Sequence, residues 1–271
     1  MKKTIIAAAA LVALAACNKT IIETPVSDFG YISIDVSADS EMVVTKAEDD
    51  GYTEVTGEDL NNYLFTLNNG SENIWDNKKF SEITDEDKKK PSGQYTMTVK
   101  SISDAAAVDG NGAMQLVGTE TFTVQSGEET PVTVLCSIAN TKVTVALGEG
   151  FGNENDDVFT VSAEPVTLTQ GDRDEVSMTP GAHDAEGVEE AWFNAGAAIT
   201  WKLTATVRST SQQKTYTGTI EAEDVVAKKW NQLTFKAGTN GNITLTVKVD
   251  NTTISVEEHT PEIDPLGGAN N

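Results

Sequence analysis

The chain has 271 residues, with 42 acidic side chains against 19 basic ones and a formal net charge of −23. A surface of this sign repels phosphate, which argues against nucleic acid as a partner. It also disfavours a protein that lies flat on an anionic membrane, so any membrane attachment has to come from another feature of the chain.

An export signal is predicted at the N-terminus. Lys2 and Lys3 precede an uncharged run, Thr4 to Ala16, that is too short to span a bilayer, which is the layout of a signal peptide over residues 1–16. The ending Leu14-Ala15-Ala16-Cys17 resembles the lipobox of bacterial lipoproteins. In that family the cysteine is lipidated and becomes the first mature residue, which implies membrane attachment through lipid on Cys17. An ordinary secretory signal with an incidental Cys17 is the alternative.

Alternation of apolar and polar residues with a period of two predicts strands throughout the mature chain. The pattern begins after a polar tether over residues 17–28, and its longest run, Ile199 to Val207, points Trp201 inward. Helical signals are weak, with one charged turn within Ser81–Lys90 and a second short helix within Glu223–Lys229. The predicted strands are 30–36, 62–67, 95–99, 121–124, 132–138, 143–147, 158–163, 199–207, 216–221, 230–235 and 243–249.

Many short strands without a sustained helical period predict an all-β chain. We expect two tandem antiparallel Greek-key β-sandwiches, of the transthyretin or immunoglobulin type. The pattern restarts after Ile138–Thr141, which gives an N-terminal sandwich over 29–139, a C-terminal sandwich over 140–255 and a loose tail over 256–271. Cys136 lies on the apolar side of its strand, and with Cys17 lipidated it has no disulfide partner, so we expect a buried small hydrophobe.

A family resemblance rests on the order of motifs along the mature chain. The motifs are Gly30-Tyr31-Ile32-Ser33-Ile34, Tyr63-Leu64-Phe65-Thr66-Leu67, Ile74-Trp75-Asp76, Ser92-Gly93-Gln94-Tyr95-Thr96-Met97, the stretch from Val134 to Val145, and Ala191-Trp192-Phe193. In this order they resemble a family of domains of unknown function found in cell-envelope lipoproteins. They are more distantly similar to fimbrillins, the lipoprotein-derived pilus subunits built from two transthyretin-like sandwiches. These motifs form cores, so the resemblance implies fold and envelope location more than an activity.

The chain departs from the polymerising fimbrillins in one respect. In that family the subunit is made as a precursor and is cut after an arginine in the N-terminal domain. The cut frees a groove that a neighbour's strand fills. The arginines here are Arg173 and Arg208, both in the second half, and Lys46 stands at the corresponding early strand. An arginine-specific cut there is impossible, whereas a lysine-directed one is not excluded.

The residues after Cys17 bear on which side of the membrane the protein faces. Surface-exported relatives tend to carry acidic residues directly after the lipidated cysteine, whereas Asn18, Lys19 and Thr20 follow it here. We expect a lipid anchor in the outer membrane, and we favour a surface-exposed protein over one that faces the periplasm.

Catalytic chemistry is poorly represented. The two histidines, His183 and His259, lie outside any nucleophile motif, and neither Gly-x-Ser-x-Gly nor His-Glu-x-x-His occurs. Loops at 152–157 and 172–175 concentrate the oxygen ligands that calcium prefers, but they lack the EF-hand alternation, so solvated acidic loops are favoured. The sequence predicts a non-enzymatic protein with no catalytic residue, no metal and no cofactor. A hydrolase that uses paired carboxylates remains a competing hypothesis.

The tryptophans are the candidates for a platform that stacks on glycan. Trp201 and Trp230 are expected in the core, whereas Trp75 and Trp192 stand beside acidic residues and are better placed at a rim. Two non-enzymatic functions follow. The first is a structural, adhesive or accessory subunit of a cell-surface assembly, with other surface proteins as partners. The alternative is a monomeric module that binds glycan or protein, and burial of both Trp75 and Trp192 would argue against an aromatic platform.

Overall fold

The computed structural model describes residues 28–40, 53–54, 56–152, 165–183, 185–207, 211–238, 242–250 and 252–259. Strands dominate these ranges, so the all-β prediction is confirmed. The predicted signal peptide, Cys17, the tether up to residue 27 and the predicted strand at 158–163 lie outside the described residues. Within the described ranges, no helix is long and apolar enough to cross a membrane.

The first sheet is built from the N-terminal half of the chain. Its strands are β1 (Phe29–Asp39), β2 (Thr53–Glu54), β3 (Leu64–Asn68), β4 (Asn73–Lys79), β5 (Lys89–Pro91), β6 (Gly93–Lys100), β7 (Leu116–Val124) and β8 (Glu129–Ile138). They are hydrogen-bonded in the order β2-β1-β8-β7-β6-β3-β4, and β5 pairs with the first residues of β1, on the edge that β2 occupies further along the strand. The pair β1–β8 is parallel, with Ile34 opposite Val132, whereas its neighbours are antiparallel.

Three short helices and one 3-10 turn, Phe80–Glu82, connect these strands: α1 (Gly57–Asn62), α2 (Asp85–Lys88) and α3 (Asp104–Val108). A capping box starts α2, because Thr84 accepts from the N–H of Asp87 while the Asp87 carboxylate accepts from the N–H of Thr84. The Lys78 ammonium, 2.8 Å from Asp87, holds the pKa of that carboxyl well below its usual range. The helical turn predicted within Ser81–Lys90 is therefore confirmed.

The inward side chains of the first sheet form one hydrophobic cluster. The alternation of the strands places every second residue inside, which is the pattern that burial of one strand face requires. Its buried members include Ile32, Phe65, Leu67, Trp75, Tyr95, Met97, Val99, Val132, Val134, Cys136 and Ile138. Burial of Cys136 is confirmed, and this burial raises the pKa of its thiol to about 11.

Two further sheets follow in the chain. Their strands are β9 (Asn140–Leu147), β10 (Val166–Thr169), β11 (Val176–Met178), β12 (Ala191–Asn194), β13 (Ile199–Val207), β14 (Gln212–Ile220), β15 (Trp230–Ala237), β16 (Ile243–Val249) and β17 (Thr252–His259). The second sheet has the order β11-β10-β13-β14, and the third has the order β12-β9-β15-β16-β17. Strands β9 and β15 are parallel, as β1 and β8 are in the first sheet.

The second and third sheets enclose a hydrophobic cluster that shares no residue with the first one. Its largest buried side chains are Trp201, Tyr216, Phe193 and Phe235, so the inward orientation predicted for Trp201 is confirmed. Gly218 faces the Trp201 indole so closely that a Cβ there would lie 2.6 Å from the ring. Glycine at this position therefore lets a strand of the second sheet approach a tryptophan without displacing it.

Some predictions of local structure are wrong, for identifiable reasons. The parallel pairs β1–β8 and β9–β15 correct the purely antiparallel expectation, because alternation specifies a buried face but not the direction of a partner strand. Residues 223–229 form turns rather than a helix. Residues 256–259, expected in a loose tail, belong to β17 and pair with β16. Strands β5 and β10 to β12 are too short to show alternation, and β4 buries only Trp75 along its length, so none of them is recognised without its partners.

Candidate functional site

The chain passes directly from the first sheet into the third at Asn140, without a linker. The buried Asn140 side chain accepts a hydrogen bond from the N–H of Gln115 (3.1 Å) and donates one to the carbonyl of Ala113 (2.7 Å). The backbone carbonyl of Asn140 accepts a hydrogen bond from the N–H of Lys228 (3.0 Å), and the Lys228 ammonium pairs with Asp39 at the end of β1. The side-chain amide is bonded to residues just before β7 and the backbone carbonyl to a residue just before β15, so the geometry of this passage is fixed from both sides.

Arg173, between β10 and β11, makes a second connection. Its Nη1 donates to the carbonyl of Trp192 and its Nη2 to the carbonyl of Gly110, both at 2.6 Å. Its guanidinium carbon lies 4.5 Å from the centre of the Phe193 ring. The planar fork of arginine can serve two acceptors at once while it stacks on an aromatic face. One side chain therefore ties the loop after α3, which belongs to the first sheet, to strand β12 of the third sheet.

A third connection surrounds Trp192. The N–H of Trp192 donates to the carbonyl of Asn111 (2.8 Å), and the Trp192 side chain packs against the hydrophobic cluster of the first sheet. The Asn111 amide donates to Glu189 (2.9 Å), which also accepts from the N–H of Thr179 (2.6 Å). Burial alone would raise the pKa of Glu189, but these hydrogen bonds outweigh it and lower that pKa. We call these contacts of Asn140, Arg173 and Trp192 the joint.

The close contacts of the joint also account for the glycine at position 112. Gly112 has a φ of +72°, and a Cβ there would lie 2.6 Å from the carbonyl of Ala107 and 2.7 Å from that of Trp192. Only glycine can adopt this conformation and still allow the backbone of β12 to approach so closely.

A groove of about 1040 Å³ opens beside the joint, between α3 and the loop that joins β10 to β11. Its lining includes four carboxylates, those of Asp109, Asp172, Asp174 and Glu175. The cation among the lining residues, Arg173, is engaged by the two carbonyls of the joint. This polarity suits hydroxyl-rich or cationic groups better than anions, and the volume lies at the upper end of ligand-binding clefts.

The predicted acidic loops differ in how much the structure describes. Asp172–Glu175 lies on the groove, whereas residues 153–157 are outside the described ranges. Across the described part of the chain, no group of three His, Cys, Asp or Glu side chains is placed to hold a metal ion.

The two tryptophans predicted at a rim have different positions. Trp75 is 4% exposed and belongs to the first hydrophobic cluster, with the Lys90 ammonium 5.1 Å from its ring centre, so its placement at a rim is wrong. Trp75 lies on β4, an edge strand of the first sheet. The adjacent acidic residue in the sequence did not indicate which face of that strand is buried. Trp192 is half-buried and serves the joint, and Cys17 lies outside the described residues.

The outer face of the third sheet carries a polar cluster that sequence reasoning missed. The ring nitrogens of His183 lie 2.7 Å from the hydroxyl of Thr144 and 2.9 Å from that of Thr234, on the paired strands β9 and β15. The Trp230 indole N–H donates to the same Thr144 hydroxyl (2.9 Å), and the Lys142 ammonium lies 4.4 Å from the Trp230 ring centre. Trp230 is therefore half-buried on the face opposite Leu233 and Phe235, which corrects its placement in the core. Trp230 is three positions from Leu233 in the same strand, so alternation in the sequence could have indicated that the two side chains face opposite ways.

His259 occupies a different environment at the end of β17. Its ring centre lies 4.7 Å from that of Trp201 in an edge-on arrangement, and its Nε2 lies 3.4 Å from a carboxylate oxygen of Glu257. The two histidines thus contact different sheets and do not share a site.

These features define a β-rich protein with two separate hydrophobic clusters joined by a fixed connection. Residues 28–264 match the family described as a domain of unknown function, DUF4493, and the chain belongs to that family. The predicted membership of a domain family of unknown function is thereby confirmed. None of the curated proteins is significantly similar to the chain.

Several solved structures are similar to the chain at low sequence identity. One is a fimbrial assembly protein from Parabacteroides distasonis, with 11% identity and a TM-score of 0.43 over 83% of this chain and 98% of that one. A proposed polysaccharide-binding protein from Bacteroides thetaiotaomicron has 8% identity and a TM-score of 0.44 over 80% and 96%. A proposed cell adhesion protein from Bacteroides uniformis has 14% identity and a TM-score of 0.38 over 79% and 97%.

Proposed function

We propose that the protein is a non-enzymatic lipoprotein of the outer membrane, attached through lipid on Cys17 and facing outward. In this proposal it is fimbrillin-like and serves a structural, adhesive or accessory role in a cell-surface assembly. Its mature part forms two units, residues 29–139 with the first sheet and residues 140–255, extended to His259 by the end of β17, with the two later sheets. The lipobox-like Leu14-Ala15-Ala16-Cys17 supports the anchor.

The observation that carries this proposal is the joint. A protein that transmits force or presents a surface at a distance from the membrane has to keep its parts in a fixed relation. Asn140 and Arg173 supply that relation through directional hydrogen bonds to the backbone on both sides. A flexible linker at this point would have served two independently acting binding modules instead.

The surroundings of the reactive side chains support a non-enzymatic role. Cys136 is buried, and its raised pKa disfavours the thiolate that a nucleophile needs. Both ring nitrogens of His183 contact threonine hydroxyls, which are not groups that would activate it as a general base. The charged Arg173 is committed to two carbonyls of the joint.

The anchor and the assembly are tested separately. Mass spectrometry of the full chain, expressed in a Gram-negative host, should show lipid on Cys17 and none in the Cys17→Ala variant. Mild protease treatment of intact cells should cut the protein if it faces outward, and spare it if it faces the periplasm. Unheated gels and cross-linking should show complexes with other surface proteins or further copies. A lipidated protein that remains strictly monomeric and uncross-linked would refute the role in an assembly.

The groove beside the joint favours a second candidate, a monomeric surface module that binds glycan. Carboxylates accept hydrogen bonds from sugar hydroxyls, and four of them line a groove of suitable size. Buried Trp75 and half-buried Trp192 offer no aromatic platform, so binding would depend on hydrogen bonds. Calorimetric titration with surface oligosaccharides tests this candidate. Binding that is lost in Asp172→Asn/Asp174→Asn and retained in Glu129→Gln, at the far end of β8, would support it.

A further inference from the structure

Two aromatic side chains are exposed next to each other where the described chain begins. Phe29 is 41% exposed and Tyr31 is 50% exposed, and both point to the outward face of β1 because they are two residues apart. The register places Pro91 of β5 opposite Phe29 and Lys89 opposite Tyr31. We call these four residues the aromatic corner.

Cations accompany the aromatic corner although the chain as a whole is strongly acidic. The Lys89 ammonium lies 5.4 Å from the centre of the Phe29 ring. Lys88 and Tyr31 line a shallow hollow of about 530 Å³ together with Asp85 and Glu129. The Lys88 ammonium lies 3.5 Å from Asp85. Exposed aromatic rings beside long lysine side chains are the composition of protein surfaces at a membrane–water interface, where the rings enter the headgroup layer and the ammonium groups reach phosphate.

The start of β1 is fixed to the rest of the corner. The carbonyl of Asp28 accepts hydrogen bonds from the N–H of Ser92 (2.8 Å) and from its hydroxyl (3.1 Å), directly after β5. Asp28 lies eleven residues after Cys17, since 28 − 17 = 11. A chain of that length spans at most about 36–40 Å when fully extended.

The proposed lipid on Cys17 therefore holds the aromatic corner within a short distance of the membrane surface. Such tethering makes a second contact with the same membrane effectively intramolecular, so even a weak interfacial affinity is sufficient. Membrane contact at the aromatic corner rests on the proposed function, because without lipid on Cys17 the tether has no fixed end.

We propose that the aromatic corner docks on the headgroup region of the membrane that holds the lipid anchor. Phe29 and Tyr31 contact the interface, and the remaining acidic surface stays in water, since it gains nothing from an anionic headgroup layer. The opposite end of β1, Asp39, reaches the joint through its pair with Lys228. An eleven-residue strand is about 35 Å long at about 3.3 Å per residue, so docking at Phe29 directs the joint and its groove away from the membrane.

Site-directed spin labelling of the lipidated full chain tests this orientation. A nitroxide is attached at position 31 in Tyr31→Cys, or at position 135 in Leu135→Cys. Leu135 is a matched control, because it is 52% exposed and apolar but faces Ser37, about 20 Å further along the strand pair. Native Cys136 does not interfere, since it is buried and its pKa is raised to about 11.

The labelled proteins are reconstituted in vesicles of phosphatidylethanolamine with a minor share of phosphatidylglycerol, after mass spectrometry has shown lipid on Cys17. The ratio of relaxation enhancement by oxygen to that by a water-soluble nickel chelate should be several-fold higher at position 31 than at position 135. Phe29→Ser should lower the ratio at position 31 towards the control value, because the label already replaces Tyr31 and Phe29 is the interfacial ring that remains.

Each other outcome overturns the proposal in a distinguishable way. Equal ratios at positions 31 and 135 in lipidated protein would refute docking and leave the anchor intact. Absence of lipid on Cys17 would refute both. Dipolar broadening at position 31 would show that a second copy of the chain covers the corner, and an unchanged ratio in Phe29→Ser would show that the tether alone sets the depth.

Discussion

Replacement of Arg173 by methionine tests whether the joint couples the sheets. Methionine keeps much of the apolar stem of the arginine, so packing on Phe193 is largely retained. The change removes the two hydrogen bonds to the carbonyls of Trp192 and Gly110. It also removes the cation that lies 4.5 Å from the Phe193 ring.

The expected loss follows from these contacts. A hydrogen bond from a charged donor contributes about 1.5–3 kcal/mol, and a cation over an aromatic face contributes about 0.5–1 kcal/mol at an exposed site. Arg173 is only half-buried, so water can reach the two carbonyls after the substitution and recover part of the loss. We therefore expect the free energy of unfolding to fall by about 2–3 kcal/mol.

Differential scanning calorimetry and urea titration measure both consequences. Wild-type protein should unfold with strong coupling between its parts, whereas Arg173→Met should shift the midpoint down and separate the transitions of the two hydrophobic clusters. Lys202→Met is the control, since Lys202 is exposed on β13, and it should change the stability by less than about 0.5 kcal/mol. A change in Arg173→Met that is as small as in the control would refute the coupling role of the joint.

Three further predictions concern the cores and the cap of α2. Gly218→Ala should lower the stability by about 1–3 kcal/mol in urea titration, because the added methyl would lie 2.6 Å from the Trp201 indole. Cys136 should resist thiol reagents in the native protein and react on unfolding. Burial raises the pKa of its thiol from 9.0 to about 11, so between these values the unfolded chain loses the proton that the folded protein keeps. The free energy of unfolding should therefore fall as the pH rises through this range. Asp87→Asn should reduce stability at neutral pH, and the difference from wild type should shrink below about pH 4, because Lys78 holds the folded pKa of Asp87 below its ordinary value.

Each of these has an internal comparison. Gly181→Ala meets only Val188 at 3.4 Å, so a loss as large as in Gly218→Ala would show that close packing on Trp201 is not the cause. Rapid labelling of Cys136 under native conditions would contradict its burial. An Asp87→Asn difference that persists unchanged at low pH would indicate that the carboxylate charge is irrelevant to the cap.

The strands show where the sequence was sufficient. The alternation in Ile199–Val207 gave both the strand and the inward direction of Trp201, and the alternation around Cys136 gave its burial. These results follow because a period of two assigns every second side chain to one face regardless of what covers it. Short strands such as β11, with three residues, carry too little of this signal and exist through pairing with their neighbours.

The tryptophans show where the sequence was not sufficient to predict burial. Trp75 and Trp192 had similar acidic neighbours in sequence, yet Trp75 is in a core and Trp192 is part of the joint. Asp76 is adjacent to Trp75 in β4 and points to the opposite face, whereas Glu189 and Glu190 precede the strand of Trp192, so neither case reports what covers the ring. The burial of a side chain on its own face depends on which element packs there.

The sequence by itself determined that this chain is β-rich, that Cys136 is buried, and that residues 14–17 resemble a lipobox. Tertiary structure alone decided the parallel pairs β1–β8 and β9–β15, the contacts of Arg173 and Asn140, and the exposure of Phe29 beside Tyr31. The physical reason is the distance along the sequence over which each kind of interaction acts. Alternation and turn chemistry act between near neighbours in sequence, whereas Arg173 and Gly110 are 63 positions apart and meet only when two sheets are already in place.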